Sequence, residues 1–155
     1  MATNNQIQSG TSVIPLLGVT SGAAAAAGII GEVISSQVLE ASGVAMTTGN
    51  VFNITTLSLL AGDYDILGNV FFSGTAVTNP VSICWISGTS ATLPDRSLTS
   101  RMVTLLVATN NFVGLPCPYY RALLAAPATI YLSARSDFTA GTMVGSGGIF
   151  ARRRR

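Results

Sequence analysis

Short runs rich in Val, Ile, Thr and Phe recur along the chain from Val33 onward, and turn-forming residues separate them. The separators include Thr48-Gly49-Asn50 and Ala61-Gly62-Asp63. They follow one another at intervals of roughly 8–12 residues, a spacing typical of an all-β sandwich or barrel. We therefore predict an all-β fold. The predicted strands are residues 33–40, 44–47, 51–60, 64–73, 81–87, 102–108, 120–124, 128–138 and 143–152, and the segments 93–95 and 115–118 are predicted loops.

Side-chain alternation within residues 64–72 supports this prediction. One face of that segment carries Tyr64, Ile66, Gly68, Val70 and Phe72, and the other carries Asp65, Leu67, Asn69 and Phe71. One apolar face and one mixed face are expected for a strand in a two-layer fold. Because Leu67 and Phe71 make the second face partly apolar, we expect one sheet face to pack on another subunit. The glycines of Gly145-Ser146-Gly147-Gly148 indicate a bulge or a close backbone approach in the last strand.

The chain carries very little charge. Charged residues make up 9% of its 155 residues, against about 25% in an average soluble domain. Four of the eight arginines form the run Arg152–Arg155, and the rest of the chain has four arginines and six acidic residues, a net charge of −2. Lone soluble domains usually rely on exposed charge for solubility. We therefore expect a membrane, other copies of the chain or a large assembly to cover much of the surface.

The residue types that the chain lacks exclude several classes of function. Without His there is no Ser–His–Asp triad, no Cys–His pair and no His-ligated metal site. Without Lys there is no P-loop and no Schiff base. The slightly acidic body also differs from the basic face that nucleic-acid binders usually present. We expect no catalytic residue, no cofactor, no metal and no nucleic-acid partner.

Residues 1–31 carry no charged side chain. Ser, Thr, Gly and Pro interrupt every apolar run, so no stretch reaches the ~18 apolar residues of a membrane span, and no positive segment of a signal peptide precedes it. We interpret residues 1–32 as an extended or flexible N-terminal arm, followed by a β-sandwich domain at residues 33–155. The larger apolar residues of the arm are the predicted partner contacts, namely Val13, Ile14, Leu16, Leu17, Ile29 and Ile30.

Four segments of the chain resemble segments of small phage and prophage virion proteins. They read LSLLAGDYDILGNV at residues 57–70, SATLP at 90–94, ATIYL at 128–132 and GIFARRRR at 148–155. The order is the same in that family, although the family more often has Trp at the position of Tyr64. The resemblance covers about residues 33–155. It implies a trimeric jelly roll of the complement C1q and tumour necrosis factor kind, as found on phage fibres and capsid surfaces, and it implies no catalytic residues.

The resemblance and the sparse charge together predict a non-enzymatic phage virion structural protein. We expect an all-β jelly-roll β-sandwich with an extended N-terminal arm, forming a homotrimer that decorates the outer capsid as a cement protein. Its partners would be further copies of itself and the major capsid protein or other virion proteins, after assembly in the bacterial host cytoplasm. The final run is interpreted in two ways, as a solvated, disordered tail or as an anchor to acidic partner surfaces. This run is Arg152, Arg153, Arg154 and Arg155.

Two other functions remain open at the level of sequence. A receptor-binding tip or a head or tail fibre would bind host surface glycan, and Tyr119 and Tyr120, which follow a Pro-rich loop, are the candidate residues. Trp85 lies in an apolar run and is predicted to be core. A glycan-cleaving enzyme would use the paired carboxylates of Asp63 and Asp65, although Asp63 is interpreted as a turn residue ahead of a strand.

The chain has two cysteines, Cys84 and Cys117. Two cysteines in a chain of this length do not make a disulfide framework. A phage protein assembles in a reducing cytoplasm, where buried thiols stay free. We therefore predict that both cysteines are free and buried.

Overall fold

The computed structural model describes residues 25–78, 81–103 and 108–154. These residues form ten strands and two short 3₁₀ turns. The strands are β1 (Val33–Val38), β2 (Val44–Met46), β3 (Val51–Leu59), β4 (Gly62–Val77), β5 (Val81–Ser87), β6 (Ser100–Val103), β7 (Ala108–Pro116), β8 (Tyr120–Leu124), β9 (Ala128–Asp137) and β10 (Thr142–Arg153), and the 3₁₀ turns are Glu40–Ser42 and Arg96–Leu98. Within the described part of the chain, no helix is long and apolar enough to cross a membrane.

The strands pair in antiparallel fashion in two sheets. The six-stranded sheet has the order β1-β10-β4-β7, with β2 also beside β10 and β8 also beside β4, and the four-stranded sheet has the order β3-β9-β5-β6. If β1 and β2 are counted as one interrupted strand, and β7 and β8 as another, the ten strands become eight. Numbered again in chain order, these eight strands have the order 1-8-3-6 in the first sheet and 2-7-4-5 in the second. This is the strand order of a jelly roll, in which two Greek keys form a double sheet. The predicted jelly-roll β-sandwich is therefore confirmed, and residues 1–24 of the predicted arm lie outside the described residues.

The predicted strands 81–87 and 120–124 have the same bounds as β5 and β8. The predicted strand 102–108 overlaps the end of β6 and only the first residue of β7, so most of β7 is unpredicted, and β7 ends in a predicted loop. Asn110, Asn111 and Gly114 give β7 a low intrinsic preference for strand. The segment nevertheless pairs along β4, from Pro116 opposite Asn69 to Ala108 opposite Val77. Tertiary pairing thus outweighs local propensity at this position.

Strand β4 is longer than predicted. Gly74 continues it because this residue pairs on both sides, with Met143 of β10 and with Asn111 of β7. At the other end, Asp63 lies inside β4 opposite Leu123 of β8. The interpretation of Asp63 as a turn residue ahead of the strand is therefore wrong.

The core lies between the two sheets. The inner face of β4 contributes Tyr64, Ile66, Val70 and Phe72, each at most 1% exposed, as the alternation predicts. The inner face of β9 contributes Ile130, Leu132 and Ala134, which are equally buried. Full burial of these side chains is worth about 1.5–3 kcal/mol for each large one, so the packing of the two inner faces contributes strongly to the stability of the sandwich.

Trp85 is fully buried, as predicted, but it lies outside the main apolar cluster that contains Cys84 and Ile86. Trp85 pairs with Ser133 of β9, which in turn pairs with Asn53 of β3. The Asn53 side chain donates a hydrogen bond to Ser90 Oγ and accepts one from the Ala91 N–H. These bonds hold the loop after β5 against the outer side of the four-stranded sheet.

Candidate interaction surfaces

The outer face of the six-stranded sheet carries two pairs of apolar side chains, which together we call the aromatic face: Leu67 with Phe150, and Phe71 with Phe112. Leu67 of β4 lies directly opposite Phe150 of β10. Phe71 stacks on Phe112 of β7 with 6.0 Å between the ring centroids. Leu67, Phe112 and Phe150 are 42%, 57% and 44% exposed. Large exposed apolar side chains on one sheet face favour a surface that another molecule covers.

A depression of about 480 Å³ lies beside these pairs, lined by β1 together with Asn69, Phe71, Gly147, Gly148 and Phe150 among others. Gly147 has a φ of +149°, and a Cβ at this position would lie 2.2 Å from the Asn69 carbonyl oxygen. Only glycine fits there. Since the register of β10 on β4 continues without interruption, the glycines produce a close backbone approach, one of the two predicted outcomes, and not a bulge.

A buried charge cluster closes one end of the same sheet. We call it the Arg153 cluster, and it consists of Glu32, Tyr64 and Arg153. The Arg153 side chain is 6% exposed, and its Nε donates to Glu32 Oε2 at 3.0 Å. Its Nη1 donates to the Ala61 carbonyl oxygen at 2.9 Å, and its Nη2 donates to the Tyr64 hydroxyl. The guanidinium carbon also lies 4.6 Å from the centre of the Tyr64 ring. The buried cation is therefore paired with an anion and hydrogen-bonded, as a buried charge must be.

The Arg153 cluster fixes the residues that precede β1. Glu32 Oε2 accepts a hydrogen bond from the Gly28 N–H at 2.8 Å, and the Gly31 N–H donates to the Arg153 carbonyl oxygen at 3.0 Å. The hydrogen bond from Gly28 and the one from Arg153 lower the pKa of the Glu32 carboxyl below its usual range, more than burial raises it. Burial raises the pKa of the Tyr64 hydroxyl, so this group stays protonated. The ion pair and these hydrogen bonds thus attach the residues before β1 to the last strand, β10.

The carboxylates of Asp63 and Asp65 both accept hydrogen bonds from neighbouring side chains. Asp63 is 4% exposed and accepts two hydrogen bonds from Arg121, at 2.9 and 2.8 Å. Asp65 accepts from the Tyr119 hydroxyl and from Arg154 Nη1, the latter at 3.3 Å. The hydrogen bond to Asp63 raises the pKa of Arg121, and the hydrogen bond to Asp65 is the main cause that raises the pKa of Tyr119. Within the described ranges, no group of three or more His, Cys, Asp or Glu side chains is placed to hold a metal ion.

The predicted contact residues of the arm fall into two sets. Ile29 and Ile30 lie in the turn before β1 and are 56% and 45% exposed. The others lie outside the described residues, namely Val13, Ile14, Leu16 and Leu17. The exposure of the two isoleucines leaves them accessible to a partner, and their role as contacts stays a prediction.

The described arginines of the final run differ in their exposure to solvent. Because β10 continues to Arg153, successive side chains point to opposite faces of the sheet. Arg152 and Arg154 are exposed, whereas Arg153 is buried in its cluster, and Arg155 lies outside the described residues. Arg153 therefore departs from both interpretations of the run, since its guanidinium is neither solvated nor available to a partner.

Tyr119 and Tyr120 differ in how far their side chains are exposed. Tyr119 is 56% exposed and bonded to Asp65, whereas Tyr120 is half-buried and packs against the core. The two rings therefore do not present one continuous stacking platform. Of the two candidates for glycan contact, only Tyr119 offers a largely open ring.

Cys84 and Cys117 are both buried and are not joined by a disulfide, which confirms the prediction of free thiols. Cys84 Sγ donates to the Leu115 carbonyl oxygen at 3.6 Å. A hydrogen bond with Cys84 and burial both raise the pKa of the Cys117 thiol. That thiol therefore stays protonated and is a poor nucleophile.

No known family model matches the sequence, and no curated protein matches it. Among solved structures, the fold is similar to that of a chain in the infectious bursal disease virus Gx strain, with 14% sequence identity and a TM-score of 0.46. It is similar to the same degree to the VP2 subviral particle of infectious bursal disease virus, again with 14% identity and a TM-score of 0.46. These alignments cover 91% of this chain but only 37% and 38% of the two viral chains.

Proposed function

We propose that this chain is a non-enzymatic structural protein of a phage virion, which forms a homotrimer and binds the outer capsid as a decoration protein. The aromatic face is the observation that carries the proposal. A jelly roll whose outer sheet surface exposes Leu67, Phe112 and Phe150 is suited to association through that surface. The order of the four resemblance segments supports the assignment to a phage.

The occupant that we propose for the aromatic face is a second copy of the chain. The four side chains of this face are uncharged, and the charged groups lie at its ends, with Asp65 and Arg154 at one end and Glu40 at the other. An apolar centre with a rim of both charge signs is the usual anatomy of a protein interface. Because the rim carries both signs, two copies can approach without a net repulsion between like charges.

A non-enzymatic role agrees with the state of the acidic pair. Asp63 and Asp65, which a glycan-cleaving enzyme would use, are each paired with an arginine. In such an enzyme the two carboxyl groups must be free to face the scissile bond, whereas Asp63 accepts two hydrogen bonds from Arg121 and Asp65 accepts from Tyr119 and Arg154. We therefore assign these carboxylates to the stability of the β4–β8 end of the sheet.

A protein that binds the assembled shell and not the loose subunits stabilises the shell by mass action. Decoration of this kind needs no catalytic group. In this proposal the major capsid protein is the second partner, and the arm and the exposed Arg152 provide the contacts to it. Location in purified particles, by labelling and electron microscopy, tests this part directly, since a tail or fibre position would contradict capsid decoration.

A matched pair of substitutions tests the self-association face. Leu67→Ser changes the aromatic face, and Leu98→Ser changes a leucine that is 58% exposed on the turn after β5. Burying a whole leucine side chain is worth about 1.5–3 kcal/mol, so burying the exposed part of three copies of Leu67 contributes on the order of 2–4 kcal/mol per trimer. We expect Leu67→Ser to weaken the trimer by roughly 30- to 600-fold and Leu98→Ser to leave it unchanged.

Analytical ultracentrifugation at micromolar concentration measures both variants and the parent. The parent should sediment as a species of three times the chain mass of 15.9 kDa. A monomeric parent would contradict the trimer. If the parent is a trimer and both variants weaken it to the same extent, the aromatic face is not the interface and another surface must be.

A further inference from the structure

The outer face of the four-stranded sheet holds a second depression, which we call the arginine pocket. Its volume is about 200 Å³. One part of its lining is apolar or uncharged, and the other part is charged. The lining residues are Ile83, Leu93, Pro94 and Thr99, together with Arg96, Arg101, Arg135 and Asp137.

Strand register places two of these arginines on either side of one residue of β5. Ile83 of β5 lies opposite Arg101 of β6 on one side and opposite Arg135 of β9 on the other. Directly paired residues project to the same face of a sheet, and neighbouring strands lie about 4.8 Å apart. Two guanidinium groups thus rise from the same face and flank one isoleucine. Arg96 reaches the same depression from the 3₁₀ turn after β5.

This concentration of positive charge is unusual for so weakly charged a chain. Three of its eight arginines line one depression, and Asp137 is the single acidic residue in the lining. Asp137 accepts from Arg135 Nε at 2.8 Å. Asp95, beside Arg96, already accepts two hydrogen bonds from Ser97. Arg101 forms no salt bridge with any described residue, so the pocket holds uncompensated positive charge.

We propose that the arginine pocket binds one acidic sugar residue, a monosaccharide unit that carries a carboxylate. The guanidinium groups of Arg101 and Arg135 match a carboxylate, because their planar forks donate two parallel hydrogen bonds. Leu93 and Pro94 form an apolar wall suited to the C–H surface of a sugar ring. The volume is below the 300–1,000 Å³ that is usual for drug-sized ligands, which favours a single unit. This inference is independent of the proposed trimer and of capsid binding.

Titration of the full chain with glucuronate, followed by NMR chemical shifts, tests the inference. Glucose is the neutral control, and inorganic phosphate is the control for a bare anion. We expect saturable binding of glucuronate that is weakened by added salt, and at least tenfold weaker binding of glucose and of phosphate. The shifted resonances should come from β5, β6 and β9.

Two substitutions with opposite expected effects on glucuronate binding extend the test. Arg101→Gln removes an uncompensated cation and should weaken glucuronate binding by at least tenfold. Asp137→Asn removes the carboxylate that competes for Arg135 and should strengthen the binding by a few-fold. Both positions are at least partly exposed, and a thermal melt of each variant verifies that it is folded.

Several results would overturn the assignment. Equal binding of glucose and glucuronate would show that the arginines do not select the ligand. Phosphate bound as tightly as glucuronate would show that the apolar wall has no role. Tighter binding of a short glutamate-rich peptide would assign the pocket to an acidic protein segment instead. A change in the same direction for both variants would also contradict the proposed geometry.

Discussion

Replacing Glu32 with Gln isolates the electrostatic contribution of the Arg153 cluster. The amide keeps the size of the side chain and an oxygen acceptor but removes the negative charge. Loss of one partner from a buried ion pair costs about 3–5 kcal/mol. We expect the lower end, about 3 kcal/mol, because residues 26–30 around Glu32 are exposed and the Ala61 and Tyr64 oxygens still accept from Arg153. At about 2–4 °C per kcal/mol, Tm should fall by about 6–12 °C.

The dependence of this loss on pH separates charge from packing. The fold lowers the pKa of Glu32, so its contribution to stability is present above the unfolded-state value of about 4.3. The contribution is lost as pH falls through the folded-state pKa. Urea unfolding of the parent and of Glu32→Gln should therefore show a large difference at pH 7 that narrows in acid, with an unchanged m-value.

Asp137→Asn is the matched control, since Asp137 also pairs with an arginine at 2.8 Å but its side chain is 38% exposed. An exposed pair contributes less than about 1 kcal/mol. Equal losses of stability in the two variants, or a Glu32→Gln loss that is the same at pH 7 and in acid, would refute the electrostatic account of the cluster.

Two further predictions concern the thiols and the arm. Because Cys84 and Cys117 are free, thiol labelling of denatured, unreduced protein should find two reactive thiols per chain, and fewer would reveal a disulfide. Deletion of residues 2–24 keeps the Gly28 and Gly31 hydrogen bonds, so Tm should stay unchanged while co-sedimentation with capsids falls sharply. Deletion of residues 2–31 removes these bonds and should also lower Tm by several degrees. Full capsid occupancy without residues 2–24 would exclude those residues as the anchor, and full occupancy without residues 2–31 would exclude the arm.

Local patterns in the sequence predict much of this fold because side-chain alternation reports directly on burial. The apolar face of residues 64–72 is the inner face of β4, and the turn signals at 48–50 and 61–63 lie close to the ends of β3. Local patterns fail where pairing depends on distant residues. Strand β7 carries two asparagines and a glycine, and its strand conformation depends on β4, more than thirty residues earlier in the chain.

The candidate sites are less predictable, because each combines residues that are remote in sequence. Glu32 and Arg153 are 121 positions apart, and nothing local distinguishes Arg153 from the other members of its run. The sequence does give one usable signal, since Glu32 is the first charged residue after a long uncharged segment. Likewise, Arg101 and Arg135 lie on either side of Ile83 only because β6 and β9 both pair with β5.

The aromatic face and the arginine pocket lie on the outer faces of different sheets, and the outer faces of a sandwich point in opposite directions. A homotrimer that buries the first surface therefore leaves the second one open to solvent. The distribution of charge agrees with this division, because the pocket holds three arginines while the four residues of the aromatic face carry none. An assembly built in this way would cover the apolar surface that a weakly charged chain must protect. It would also present one positively charged pocket per subunit on its exterior.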